Sequence, residues 1–239
     1  MILLRMQRFI QKIGWWITLT RQELIQRAYA ENPFITNQDL VCEVLTHEIL
    51  MRKLKGGEGL SQGRLSTDFN LSRGPVKQAL EKMAKDHYLV RDSVGSFFVN
   101  KPDVHLSADV FSFKKLLDLL ATSQAIFAIT RDGLEQLHEQ LTQLNDAYRR
   151  RDFVAFCHYD ILFHLLVAQI AGNFMVVETY SRYRNLFQFI SVSLESDMDE
   201  RVFRRLLYQH QNIFNILKCR KSDAVQSAID AHYASLILT

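Results

Sequence analysis

The run HYDILFHLLVAQIAGNF, residues 158–174, sets one aspartate and one histidine four apart inside an otherwise apolar stretch. On a helix, Asp160 and His164 project from one face, one turn apart. An ionised carboxylate buried without a partner is costly, so this face requires a cation: an arginine or a metal. Two further histidines lie in apolar helical contexts, His210 in YQHQNIFNIL and His232 in AIDAHYASL. One carboxylate and three imidazoles from three helices form a donor set for a divalent ion. Its mixed hard and borderline character suits Zn, Ni, Mn or Fe(II). A lone helical histidine is more often half-buried with no ligand role. His47, His87, His105, His138 and His158 are assigned to that class, and His158, two before Asp160, should point away from its face.

A second constellation is basic. Residues 52–101 carry ten Lys/Arg against five Asp/Glu, a local +5 in a chain of net +3, so the remainder sums to −2. Such a local excess is the footprint of a polyanion binder. Within it the order reads helix, short helix (LSQGRLSTDFN), tight turn, helix (RGPVKQALEKMAKD) and hairpin (YLVRDSVGSFFVN). That is the order of a winged helix-turn-helix, whose second helix presents polar and basic side chains at its N-terminal end to base edges and phosphates. Ser72 is expected to cap that helix, with Pro75 in its first turn. Arg73 suits a guanine edge, Ser72 and the helix N-terminus a phosphate, and Lys77 lies one turn on from Arg73. Arg64 would reach the flanking backbone. Val76, Leu80 and Met83 should face a core. The glycines of KGGEG lack a following Gly-Lys-Ser/Thr, so they read as a helix C-cap and turn rather than a phosphate loop.

The elements that hold these residues follow from periodicity. The spacing predicts an amphipathic helix over residues 1 to about 30, with Arg5, Arg8 and Lys12 on its polar face, docked on this chain or a second copy rather than on a membrane surface. Asn32-Pro33 ends it. A helix follows over 36–54. Lys101-Pro102-Asp103 is the linker. Beyond Asp109 there is no strand signal. Helices are expected near 109–130, 131–149, 152–171, 174–196, 199–219 and 223–237, with Asp152 capping one, Gly172-Asn173 closing it, and Asp223 with Gln226 forming a capping box for the last. The fold class is therefore mainly α: an N-terminal extension (1–34), a winged helix-turn-helix (35–102) and an all-α bundle (103–239). Cys42, Cys157 and Cys219 are scattered, odd in number and without CxxC spacing, which points to a reducing, cytoplasmic setting. Near the N-terminus, Ile13–Leu19 is too short an apolar run to span a bilayer.

The segment LSQGRLSTDFNLSRGPVKQALEKMAKDHYLV resembles the DNA-reading domain of GntR-family bacterial transcription regulators, whose core S-R-x-P-V-basic-x-A-L it matches. The resemblance implies that Arg64, Arg73, Lys77 and the wing glycine Gly95 contact operator DNA, with Lys77 where relatives carry Arg. The D-x-x-x-H motif, the Gly-Asn eight residues later and the two later histidines resemble the FCD-type effector domain of the FadR-like subfamily. That implies a metal held by Asp160, His164, His210 and His232. Relatives often carry an Arg and, four residues on, a Glu where this chain has Lys114 and Asp118. Lys114 and Asn173 are the expected effector contacts.

Together these readings describe a homodimeric, metabolite-responsive regulator. It would bind double-stranded operator DNA, carry a divalent metal and respond to a small organic acid, with no membrane partner and no catalytic residues. The competing reading is a metal-dependent enzyme whose Asp/His₃ site activates water or substrate. A third, an architectural nucleic-acid binder without effector, requires no metal.

Overall fold

The computed structural model describes residues 19–194 and 199–237, which fall into two compact units divided between Lys101 and Pro102. In the first unit, helix α1 (Arg21–Glu31) opens on a capping box: the Thr20 hydroxyl accepts from the Glu23 amide while the Glu23 carboxylate accepts from Thr20 N at 2.7 Å. It buries Leu24, Ile25 and Ala28 and packs on α2 (Asn37–Leu50). The first 18 residues of the expected amphipathic helix, with Arg5, Arg8 and Lys12, lie outside the described residues. The remainder docks and shares a unit with the winged helix, without a division at residue 34. Arg21 fixes it there, donating to Glu48 from Nη2 at 2.7 Å and to Asp68 from Nη1 at 2.5 Å.

The α2 helix stops before the glycines, with Arg52 taking the left-handed conformation (φ 54°). KGGEG is thus not the C-cap. Gly57 (φ 84°) instead passes beneath Lys101, whose Cε would lie 2.9 Å from an added Cβ. A short strand not expected from the sequence, β1 (Gly59–Leu60), pairs with the wing. It is followed by α3 (Gln62–Phe69), α4 (Arg73–Lys85), β2 (Leu89–Arg91) and β3 (Phe97–Val99). The sheet is antiparallel in the order β1-β3-β2, with Val90 opposite Phe98. Leu65, Phe69, Val76, Leu80 and Met83 fill the core under it.

The second unit is all helix among its described residues: α5 (Val104–Ala128), α6 (Arg131–Arg149), α7 (Phe153–Ala171), α8 (Phe174–Leu194), α9 (Glu200–Cys219) and α10 (Val225–Ile237). The first starts five residues earlier than its apolar pattern, because Asp103 accepts from Leu106 N at 2.8 Å and caps it. Asp152 caps α7, and Gly172 (φ 70°) ends it. The capping box expected for α10 does not form. Asp223 lies in a 3-10 turn (Ser222–Ala224) and Gln226 donates to Asp230 instead. Helix α7 has a mean hydropathy of 1.6 over 18 residues, enough by composition to cross a membrane. Its placement explains that composition: α5, α6 and α8 pack around it, so it is apolar nearly all round. Helix α10 packs on α5 and α9, bringing three ligand-bearing helices to one region of the bundle.

Candidate functional site

Asp160 and His164 project from α7, His210 from α9 and His232 from α10, all buried. One ligand atom from each lies within 4.8 Å of the others. The rings are oriented from outside. His210 Nδ1 stands 2.8 Å from the Leu206 carbonyl and His164 Nδ1 stands 3.1 Å from Asp118 Oδ2. Both acceptors require the proton on Nδ1, which turns the Nε2 lone pairs inward. There His210 and Asp160 meet acceptor to acceptor. His210 Nε2 is 3.0 Å from Asp160 Oδ1 but makes no aligned hydrogen bond. His164 Nε2 lies 3.2 Å from His232 Nε2, from which it accepts when His232 carries its proton there, and that leaves His232 Nδ1 an acceptor with no partner among the described residues. Lone pairs converging on one point in a dry core are stabilised by a cation between them. The residues fit a divalent metal.

Around them is a buried network that sequence reasoning reached only in part. Lys114, 2 % exposed, donates from Nζ to Tyr233 Oη at 2.9 Å and to Asp118 Oδ2 at 3.2 Å, and lies 3.8 Å from Asp160 Oδ2. Asp118 also accepts from the hydroxyls of Tyr180 and Tyr233. Asp160 is thereby divided, Oδ1 toward the histidines and Oδ2 toward Lys114. Burial works to raise its pKa, but the Lys114 ammonium holds it well below the usual carboxylate range. Burial pushes His232 well below its ordinary value, reinforced by the neighbouring histidines. Burial lowers His164 too, against the opposing pull of Asp118. These groups therefore sit as carboxylates and neutral imidazoles, the forms that bind metal. Asp118 was visible in the sequence only as the partner spaced four from Lys114. Tyr180 and Tyr233 carried no signal beyond being tyrosines on apolar faces.

The other expected effector contact does not join this group. The Asn173 side-chain oxygen caps α8, accepting from Met175 N and Val176 N at 3.1 and 3.3 Å. Of the histidines set aside, His158 does turn elsewhere, its Nδ1 3.1 Å from Gln188 Oε1. His138 packs edge-on to Phe214.

In the first unit Arg64, Arg73 and Lys77 are exposed, with Arg73 opening α4 and Lys77 one turn on. Gln62 Nε2 donates to the Arg73 carbonyl at 2.8 Å and ties α3 to that end. Ser72 occupies the N-cap position, but contrary to expectation its hydroxyl makes no capping bond. Gly95 has φ 92° at the wing turn, where Asp92 Oδ1 accepts from Val94 N and Ser96 N. That positive φ is what favours glycine here, since the nearest neighbour of an added Cβ is the mobile end of Arg91, Nη2 at 3.1 Å. Arg91, also exposed, lies over the Phe97 ring at 5.5 Å. The sequence reading did not single it out.

Residues 109–235 match the FCD domain family model. The chain is 27 % identical over 205 residues to the HTH-type transcriptional repressor RspR of Escherichia coli K12, covering 84 % of this chain and 87 % of that one. It is 18 % identical over 201 residues to the gluconate operon transcriptional repressor of Bacillus licheniformis, covering 83 % and 82 %. In fold it is similar to a GntR transcriptional regulator from Rhodococcus sp. RHA1 (TM-score 0.71, 16 % identity, 84 % and 96 % covered). It is also similar to E. coli McbR/YncC (TM-score 0.67, 17 % identity, 86 % and 97 % covered).

Proposed function

The chain belongs to the FCD-domain family of GntR-type transcription regulators, and on that footing we propose that its operator binding is controlled by a small organic acid at a metal held by Asp160, His164, His210 and His232. The observation that carries this reading is the inward convergence of the four ligand atoms within 4.8 Å, with His164 and His210 oriented by hydrogen bonds on their far sides. When bound, the ion supplies a Lewis-acidic anchor for an anion. The chain's own residues do the rest. Asp118 and the Leu206 carbonyl fix the two imidazoles, and Lys114 holds the second oxygen of Asp160 and offers a point charge to an incoming acid. The effector's preference for one state of the regulator then appears as a change in operator affinity, and DNA must alter effector affinity by the same factor.

On the DNA side, α4 is the recognition helix and Arg73 its base-reading residue. Arg73→Ala is expected to weaken specific operator binding by about 1–3 kcal/mol and relax the preference at one position. Lys77→Ala and Arg64→Ala should weaken all sequences alike and flatten the salt dependence. Fluorescence anisotropy across a salt series reads both effects, and three proteins with unchanged affinity would remove α4 from the DNA.

A reader of two half-sites is a two-fold dimer. A seam for it is available on α5, where Phe113, Leu116, Leu120 and Phe127 recur at heptad-like spacing and are exposed, Leu116 by 65 % and Phe127 by 76 %. The Phe113 ring meets Tyr183 of α8 at 6.1 Å, so the apolar strip continues onto a second helix. Leu116→Glu should convert the dimer to a monomer in analytical ultracentrifugation while leaving helix content unchanged. A variant that stays dimeric would place the interface elsewhere.

A further inference from the structure

Helix α1 precedes the helix-turn-helix in the chain, and two polar side chains of its first turn reach into that motif. Arg21 forks onto the buried carboxylate of Glu48 in α2, with Nε 3.0 Å from Oε1 and Nη2 2.7 Å from Oε2. Its third nitrogen, Nη1, donates to Asp68 Oδ2 at 2.5 Å, and Gln22 Nε2 donates to the Asp68 carbonyl at 2.8 Å. The guanidinium also lies over the Phe69 ring, 5.8 Å from its centre. One cation is thus shared by carboxylates from two other helices. Glu48 requires it, because a buried carboxylate without a partner is costly. Asp68 does not: its side chain is 30 % exposed, where water solvates it and pairing contributes little to stability.

The place of Asp68 on α3 gives that second contact a use. It lies four residues on from Arg64, on the same helix face. Arg64 is exposed and makes no ion pair among the described residues. An unheld Asp68 would act on Arg64 in two ways. It would offer the guanidinium a carboxylate one turn away, in competition with DNA phosphate, and it would place a negative charge beside the polyanion. Arg21 suppresses both by turning Asp68 toward α1 and neutralising it.

We propose that Arg21 is a positioning residue for DNA binding, which holds Asp68 against α1 so that Arg64 stays available to a backbone phosphate. The proposal rests on the assignment of Arg64 to DNA above and adds the helix that controls it. Helix α1 is then a working part of the DNA-binding unit.

The test releases Asp68 without unfolding the unit. Removing Arg21 alone would strand Glu48 in the core, so Arg21→Gln/Glu48→Gln neutralises both together. Arg21→Lys is the second variant, keeping a cation for Glu48 but lacking the further arm that reaches Asp68. Full-length proteins of unchanged helix content are titrated by fluorescence anisotropy with a labelled duplex of about 30 base pairs and arbitrary sequence, since phosphate contacts do not depend on sequence. Both variants should bind about two- to fivefold more weakly per half-site near 0.15 M salt, with a shallower salt dependence, the scale of one phosphate contact. Adding Asp68→Asn should restore affinity and slope, which the loss of a purely structural brace would not allow. In an Arg64→Ala background the release should change nothing further, because the two act through one contact. Wild-type affinity in both variants, or a loss that Asp68→Asn does not restore, overturns the proposal and leaves Arg64 on the DNA. Wild-type affinity in Arg64→Ala itself overturns the proposal together with that assignment.

Discussion

His210→Ala should cost the C-terminal unit its metal and lower its melting temperature on the order of 10 °C. An ion supplied at a thousand times its dissociation constant would contribute about 4 kcal/mol, and each kcal/mol moves a chain of this size by roughly 2–4 °C. A chelator should reproduce the shift in the wild-type protein and add nothing in the variant. His138→Ala, at a ring that packs edge-on to Phe214 and does not belong to the four-ligand cluster, serves as the control and should leave the chelator effect intact. Acid should act in the same direction. His164 and His232 are held below their ordinary value of about 6.5 by burial. On acidification the unfolded chain therefore takes up protons before the folded one, and stability falls as pH drops below about 6.5. Metal affinity should fall over the same range or lower, since protons and metal compete for the same lone pairs. Calorimetric melts with and without chelator between pH 5 and 8 check both statements. A chelator shift that survives in His210→Ala would mean that the ion is bound elsewhere.

Lys114→Met is the second large effect. Lys114 is buried, and its ammonium is the shared partner of Asp118 and Asp160. Removing one member of a buried ion pair costs about 3–5 kcal/mol, because the other charge stays behind unpaired. In the metal-free protein two carboxylates lose their common cation, and the full loss is expected. With metal present, the ion still offsets Asp160, so the loss should shrink. Denaturant unfolding of both forms gives the two numbers, and an equal loss in each would show that Lys114 and the ion act on separate parts of the core.

The sequence exposed the pieces that depend on local pattern. Helical periodicity located α5 to α10 within a few residues, because each buries a stripe of regular spacing. Asp160 and His164 stood out because they break such a stripe. What it left hidden depends on tertiary neighbours. The strand β1 is two residues long and exists only because β3 is there to pair with it. Asp103 reads as linker until its carboxylate is seen capping α5. Tyr180 and Tyr233 are ordinary apolar-face residues along the chain, and only the packing of α8 and α10 against α5 brings their hydroxyls to Asp118. Asn173 shows the reverse: its side-chain oxygen is engaged locally, capping α8, which its place after Gly172 in the sequence did not announce.

The account turns on one divalent ion shared by three helices, and elemental analysis after equilibrium dialysis of the full-length chain against Zn²⁺ tests that most directly. About one ion per chain in the wild type, and none in a His210→Ala/His232→Ala double variant that keeps its helical content, is the predicted result. A wild-type chain that retains no metal, or a double variant that retains as much as the wild type, would contradict it.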